Sequence, residues 1–351
     1  MSDSTPRSSR SIAIGLNAAI IAVHDLMPVI LEINLSVSKD QADKTADGQS
    51  ILGALPYGPF DPGRHRTLEA GLRAWVEQQT ALKLGYMEQL YSFGDRGRAF
   101  DAEQEGPHEV SIGYLALTHR TDGPQSSDSN EALAALGAQW RSWYDYFPWE
   151  DWRNGRPALL DKTILPALLD WLKSAGPEDA HRSLSREERM HLFFGMEGTP
   201  WDEERVLERY ELLYEAGLVA EFYSDRGANH QPENSVLLGR AMQMDHRRIL
   251  ATAISRLRGK IKYRPIVFEL MAETFTLTQL QASVEAISGR HLHKQNFRRL
   301  VEQGQLVEPT GMHSTATGGR PAALFHFRRD VLAERPAPGL KLGGRGNGSS
   351  R

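Results

Sequence analysis

Apolar residues along this chain change their spacing, and the spacing predicts the elements. Residues 11–24, SIAIGLNAAIIAVH, are almost continuously small or β-branched, and 28–35, PVILEINL, follow after a short gap. Such runs predict strands, and the gap predicts a hairpin. Further strands are expected over 86–93 and 108–119. Elsewhere the spacing shifts to three and four, which predicts helices. Leu68, Leu72, Trp75, Val76 and Leu82 form one stripe after Thr67, whose hydroxyl suits an N-cap. Ile249, Leu250, Ala253, Ile254 and Leu257 form a second within 245–262, opposite a basic face of Arg247, Arg248, Arg256, Arg258 and Lys260. Leu277, Leu280, Val284 and Ile287 form a third behind Thr276-Leu-Thr-Gln279, a capping box. Between these lie a helical run over 157–175 that Pro166 should break or kink, and a helix from the capping box Ser185-Arg-Glu-Glu188 through Phe194. Another is expected from Thr199-Pro200-Trp201-Asp202 to Gly217. Residues 39–50 and 121–130 are polar and predict loops. The tryptophan-dense run AQWRSWYDYFPWEDWRNG reads as core or domain contact rather than as a base-stacking platform.

Composition narrows the function classes. A chain of 351 residues can hold about two or three domains with sizeable cores. Its 41 Lys and Arg against 45 Asp and Glu give a net charge of −4, so any nucleic-acid surface must be local. With no cysteine, disulfides, thiolate nucleophiles and Cys-ligated zinc are excluded. The histidines lack metal-ligand spacing; His246, His291 and His293 read as surface or phosphate-facing residues. No apolar run reaches a membrane span and the polar first ten residues hold no signal core, so a soluble cytoplasmic protein is expected. The tail from Glu334 is basic and rich in Pro, Gly and Ser, and disorder is expected over 1–10 and 331–351.

Two stretches carry candidate chemistry. Residues 55–82, LPYGPFDPGRHRTLEAGLRAWVEQQTAL, are a Gly/Pro loop feeding a helix, and in outline they resemble the Nudix box of diphosphate hydrolases. That box holds Mg²⁺ on clustered carboxylates. Setting Thr80-Ala81-Leu82 on the family's Thr-Gly-Leu ending puts Ala74, Trp75, Gln78 and Gln79 at its Arg-Glu and Glu-Glu positions. A shift of one recovers Arg73 and Glu77 but leaves Ala74 and Gln78, so the ligand set is broken in either register. Glu69, Arg73 and Glu77 stand four apart and neutralise one another along one ridge.

The second stretch is C-terminal. A short helix over 266–271 and the capped helix lead through Ser288-Gly289-Arg290 into a third helix over 293–303. This helix has Phe297, Leu300 and Val301 behind, and Lys294, Gln295, Asn296, Arg298 and Arg299 in front. Strands at 306–308 and 323–327 then flank Gly318-Gly319-Arg320-Pro321. This is helix-turn-helix logic followed by a wing, with Arg320 placed for a phosphate or minor groove.

The LPYGPF opening, the QLYSFGD strand end and the SIGYLALTH strand, in that order, resemble the sensor domain of NrtR-type transcriptional regulators. KQNFRRLVEQGQLVE…GGRPAALFHF resembles their winged helix. The expected fold class is α+β: a Nudix-like mixed sheet/helix sandwich over 11–156 and a helical insertion over 157–235. A linker helix over 236–261 and a winged helix-turn-helix domain over 262–330 complete it. The resemblance implies a homodimeric repressor of NAD metabolism genes that binds a palindromic double-stranded DNA operator. It would sense ADP-ribose or a related nucleotide diphosphate through a catalytically silent domain, with no cofactor and no catalytic residue. Effector contacts are assigned to Arg66, Phe93, Asp95 and Arg98, with the two arginines as diphosphate forks. The alternative is an active Nudix hydrolase carrying a DNA-binding module, with Glu103, Glu105 and Glu109 replacing the lost acids. A structural adaptor binding protein through the tryptophan-rich region is a third class.

Overall fold

The sheet is built around β1, Ile12–His24, because its small and β-branched residues are buried on both faces. Leu16, Ala18 and Ile20 enter one core, while Ala19 and Ile21 enter the other. The computed structural model describes residues 12–34, 52–94, 108–120, 124–174, 176, 182–226, 236–314, 321–334 and 339–340. β2, Met27–Asn34, pairs antiparallel with β1 from His24↔Met27 to Ile21↔Ile30. Asp25 and Leu26, with φ of 47° and 60°, make the tight turn between them. Two short strands follow, β3 at Gly53–Ala54 against β2 and β4 at Tyr57–Pro59 against the other end of β1. β5, Met87–Phe93, and β6, His108–Leu117, complete the main order β3-β2-β1-β6-β5, with β6 parallel to β1. Helix α1, Leu68–Thr80, covers one face through Leu72 and Val76.

The next stretch departs from expectation in two places. Within the predicted loop 121–130, the chain from Pro124 is helical: α2 spans Pro124–Ala135. Proline at the first helical position brings its own φ and loses only an N–H that would be unpaired there. An unanticipated strand, β7 at Ala138–Ser142, then pairs with β2 from Val29↔Ser142 to Ile33↔Ala138. The tryptophan-dense run after it is core, as expected, with Trp143, Tyr146, Phe147 and Trp149 fully buried.

Around Pro166 the helix does not break. A π-helical turn at Leu160–Ile164 leads straight into α3, Leu165–Ser174, and the wider turn absorbs the missing donor. α4, Arg186–Phe194, has its expected capping box at Ser185. α5 begins only at Val206 and runs to Glu215, because the Asp202 carboxylate accepts from Glu204 N at 3.0 Å and turns the chain first. A short α6, Ala220–Ser224, follows.

α7, His246–Lys260, lies against the second face of the sheet. Of its basic face only Arg256 is exposed. Arg247 and Arg258 are fully buried, and Arg248 and Lys260 are held by Glu211 and Glu88. The C-terminal elements are a 3-10 turn at Ile266–Leu270, α8 at Leu277–Ser288, α9 at Lys294–Gly304, β8 at Val307–Ser314 and β9 at Ala322–Phe327. In the expected disordered tail, Val331–Glu334 forms a last turn, α10, with Val331 buried, and Leu340 is buried too. One apolar core runs from Leu115 of the sheet through Trp149, Tyr210 and Ile254 to Leu280 and Phe297, so sheet, insertion, linker helix and winged helix share it.

Candidate nucleic-acid interface and sensor cavity

The winged helix is assembled from local signals. Thr276 Oγ1 accepts from Gln279 N at 3.2 Å while the Gln279 side chain accepts from Thr276 N at 2.8 Å, so both free donors are satisfied at the start of α8. Gly289, at φ 71°, ends it in the left-handed region. α9 turns Phe297 and Val301, 1% and 0% exposed, onto α8 and the core. Lys294, Gln295, Asn296, Arg298 and Arg299 are all exposed. Arg299 donates to Asn296 Oδ1 at 2.8 Å, which orders that pair on the helix surface. His293 precedes the helix without a side-chain cap. The wing pairs Val307↔Phe327, and Phe275↔Phe325 ties it to the turn before α8. Arg320 lies outside the described residues, with the two glycines before it.

In the sensor half, α1 starts on Thr67, whose hydroxyl accepts from Ala70 N at 3.1 Å. It ends on Ala81 at φ 57°, a left-handed position that glycine takes at least cost. That matches the register in which Ala81 stands at the glycine of the Nudix ending. The side chains at two acidic positions of that register are committed to β4. Trp75 Nε1 donates to Pro59 O at 2.9 Å, and the Gln79 amide donates to Tyr57 O at 2.7 Å and accepts from Tyr57 N at 3.1 Å. The Trp75 ring lies where a Cβ on Gly58 would stand, 2.3 Å away. Arg73 pairs with Glu69 at 2.9 Å and donates to Leu84 O and Gly85 O, so its guanidinium serves the loop after the helix and not Glu77. Among the described residues no group of three or more His, Asp or Glu is arranged to hold a metal ion.

A cavity of about 390 Å³ lies beside the first turn of α1, lined by Thr67, Leu68, Glu69, Met87, Gln89 and Tyr114. Free backbone N–H groups at such a turn suit an anionic group. Tyr114 donates to Gln89 Oε1 at 3.2 Å, and burial, reinforced by the Glu69 charge, raises its hydroxyl above the ordinary range. Arg66 is exposed immediately before Thr67. Phe93 is elsewhere: 3% exposed in the α7-side core, with the Arg248 guanidinium 4.9 Å over its ring. It does not line the cavity beside α1. Asp95, Arg98, Glu103 and Glu105 lie outside the described residues. Glu109 is half-buried over Gly15, and burial raises its carboxyl above the usual range. Gln89, Met87 and Tyr114 were not singled out from sequence; strand alternation was the only signal they carried.

His246 is a correction. It is 1% exposed, neither surface nor phosphate-facing; its Nδ1 accepts from Leu55 N at 2.9 Å and its ring meets Tyr57 edge-on at 5.2 Å. Burial pushes its pKa down to about 3, so it is neutral in the fold. Among the described residues no helix is long and apolar enough to cross a membrane.

Residues 267–327 match the family model of the NrtR DNA-binding winged helix domain. The ADPR responsive transcriptional repressor NtrR of Acinetobacter baylyi is 34% identical over 120 residues, 33% of this chain and 48% of that protein. The match thus spans about half of that relative's length. Shewanella oneidensis NrtR complexed with a 27mer DNA aligns with a TM-score of 0.52 at 19% identity, covering 91% of this chain and 95% of that one. A further structure of Shewanella oneidensis NrtR gives 0.51 at 19% identity, covering 92% and 96%. At this identity the likeness is one of fold, and it agrees with the α+β class read from the sequence. Residues 267–327 are thus a winged helix of the NrtR DNA-binding type, carried on a chain whose fold is similar to that of Shewanella oneidensis NrtR.

Proposed function

We propose that this protein is a homodimeric transcriptional repressor of NAD metabolism genes that reads a palindromic operator and senses ADP-ribose or a related nucleotide diphosphate. The observation that carries DNA reading is the outward face of α9. Lys294 and Arg298 project from a helix anchored by Phe297 and Val301, and among the described residues no carboxylate pairs with either. Gln295, Asn296 and Arg299 add amide and guanidinium groups suited to base edges. The Acinetobacter relative is named as ADPR-responsive, and a Shewanella relative was crystallised on DNA.

The sensor binds its ligand without hydrolysing it. This reading rests on Trp75 and Gln79, which spend their polar atoms on the β4 backbone where a hydrolase of the resembled family would present acids. The cavity beside α1 is the proposed seat of the diphosphate; Arg66, next to its Thr67 in sequence, and Arg98, outside the described residues, are its proposed forks. Binding biases the equilibrium between two dimer arrangements that space the α9 helices differently, and DNA affinity falls by the differential binding energy. Calorimetry with ADP-ribose, gel shifts on a palindromic site with and without it, and a ribose phosphate release assay with Mg²⁺ test the three parts separately. Binding weakened by Arg66→Ala or Arg98→Ala and no turnover are expected. Turnover that disappears in Glu77→Gln overturns the silent sensor, and absence of nucleotide binding removes the sensing role.

A further inference from the structure

The insertion that the sequence left without a role is packed against the end of the DNA-reading unit. We propose that residues 143–152 and 182–226 form an intramolecular clamp with Glu150 as its hub, and that this clamp sets the angle of α9 relative to the sensor sheet. It thereby positions the reader and transmits sensor occupancy to it. In the second respect it rests on the sensing function proposed above.

Glu150 is 1% exposed, and its carboxylate receives two guanidinium groups from different parts of the chain. Arg209 of α5 donates from Nε at 2.6 Å and from Nη2 at 2.8 Å, and Arg258 of α7 donates from Nη1 at 2.7 Å. One acid therefore joins the insertion to the linker helix, with charge-assisted bonds whose directions are set by the planar forks.

The same cluster takes over the last carbonyls of α8. A helix end leaves these groups without partners inside the helix. Here Tyr144 donates its hydroxyl to Ala286 O at 2.8 Å, Arg258 Nε donates to Ile287 O at 2.8 Å, and Trp152 N donates to Gly289 O at 2.7 Å. Glu150 O lies 2.4 Å from the position a Cβ on Gly289 would take, so only glycine permits this approach. α9 begins shortly beyond that glycine. At the rim, Glu203 of the insertion lies 3.0 Å from Lys262 Nζ and 3.1 Å from Arg290 Nη2, on either side of the joint.

The other end of the clamp is the sheet. The segment carrying Tyr144, Glu150 and Trp152 continues directly from β7, which pairs with β2. Arg153 donates back to Leu26 O in the β1–β2 turn at 2.6 Å. A shift of the sheet is thus passed through directed hydrogen bonds to the C-terminus of α8.

Glu150→Gln would strand two buried guanidinium groups, so the test uses milder changes. Tyr144→Phe and Glu203→Gln together remove contacts on two sides of the joint and leave α9 and the sensor cavity untouched. The cysteine-free chain allows Gln78→Cys on α1 and Glu302→Cys on α9, both exposed, to carry spin labels in the full-length protein. The expected result is a narrow α1–α9 distance distribution in the parent and a broader one in the double variant, with similar melting temperatures. ADP-ribose affinity should stay within about twofold, while the ADP-ribose-dependent change in DNA affinity shrinks by about threefold or more. An unchanged response in the double variant overturns the clamp as transmitter, whatever its distances. If the parent shows no response to ADP-ribose, the sensing function fails, and the clamp is then judged on distances alone. Broadening sustains it as a positioning device and an unchanged distribution ends it.

Discussion

α7 and α9 look alike in sequence and differ in what their charges do. Each has an apolar rear and a basic front. On α7, Arg258 is buried against Glu150 at 2.7 Å, and Arg247 is buried against Glu221 at 3.1 Å with further bonds to Tyr146 O and Leu238 O. On α9, Lys294, Arg298 and Arg299 face solvent. The difference is in the neighbours. α7 is enclosed by the sheet, α5 and α8, so each guanidinium on its polar side needs a partner before it can leave water. α9 is covered along its rear, at Phe297, Leu300 and Val301, and its front charges remain available for phosphates and base edges. A basic stripe therefore marks a binding surface only where the tertiary packing leaves it bare.

The comparison is broken most forcefully at Arg258. Arg258→Ala should lower unfolding free energy by about 3–5 kcal/mol, because Glu150 loses one of its two cations in a dry site. Arg298→Ala should leave stability within about 0.5 kcal/mol. Urea unfolding of the two variants side by side checks this; equal losses would erase the distinction between the helices.

His246, at the start of α7, sharpens the contrast through pH. Its pKa in the fold, about 3, lies below the 6.5 of an ordinary histidine. The unfolded chain therefore takes up the proton first. The neutral ring's contribution is fully present above pH 6.5 and declines as pH falls toward 3, by on the order of 5 kcal/mol. His246→Asn, whose amide oxygen can still accept from Leu55 N, should flatten the acid limb of the stability–pH curve. A limb of unchanged slope would mean that His246 protonates in the folded state.

On α9 the expected effects are on recognition. Arg298→Ala should relax sequence preference by about 1–3 kcal/mol at one base position. Arg320→Ala should weaken all sequences alike and reduce the salt slope by about one unit. Gel-shift titrations at several salt concentrations, on operator and scrambled DNA, separate the two. The smallest effect belongs to the exposed Glu69–Arg73 pair of α1. Glu69→Gln should change stability by less than about 0.5 kcal/mol, as thermal melts would show.

Much of the local structure was legible because its causes are local. The capping boxes at Ser185 and Thr276 satisfy donors within three residues, and both helices start where those motifs stand. The strands over 12–24 and 108–117 follow from β-branched runs, and the rear of α9 follows from the spacing of Phe297 and Val301. The start of α5 was missed because the Asp202 turn competes with Thr199 and Pro200 as a helix opening. The site was less legible than the fold. The exposed face of α9 emerged as read, whereas Phe93 went to the core and the cavity drew on Gln89 and Tyr114.

What the sequence determined by itself is whatever depends on neighbours a few residues away: element types, caps, the loss of acids from the α1 helix, and the outward charges of α9. What the tertiary structure alone decided is the fate of groups whose partners are distant. Glu150 meets Arg258 across 108 residues, and His246 meets Leu55 across 191. Burial removes the water that would otherwise satisfy such groups, so each must be matched by whatever the fold brings beside it, and no local pattern encodes that match.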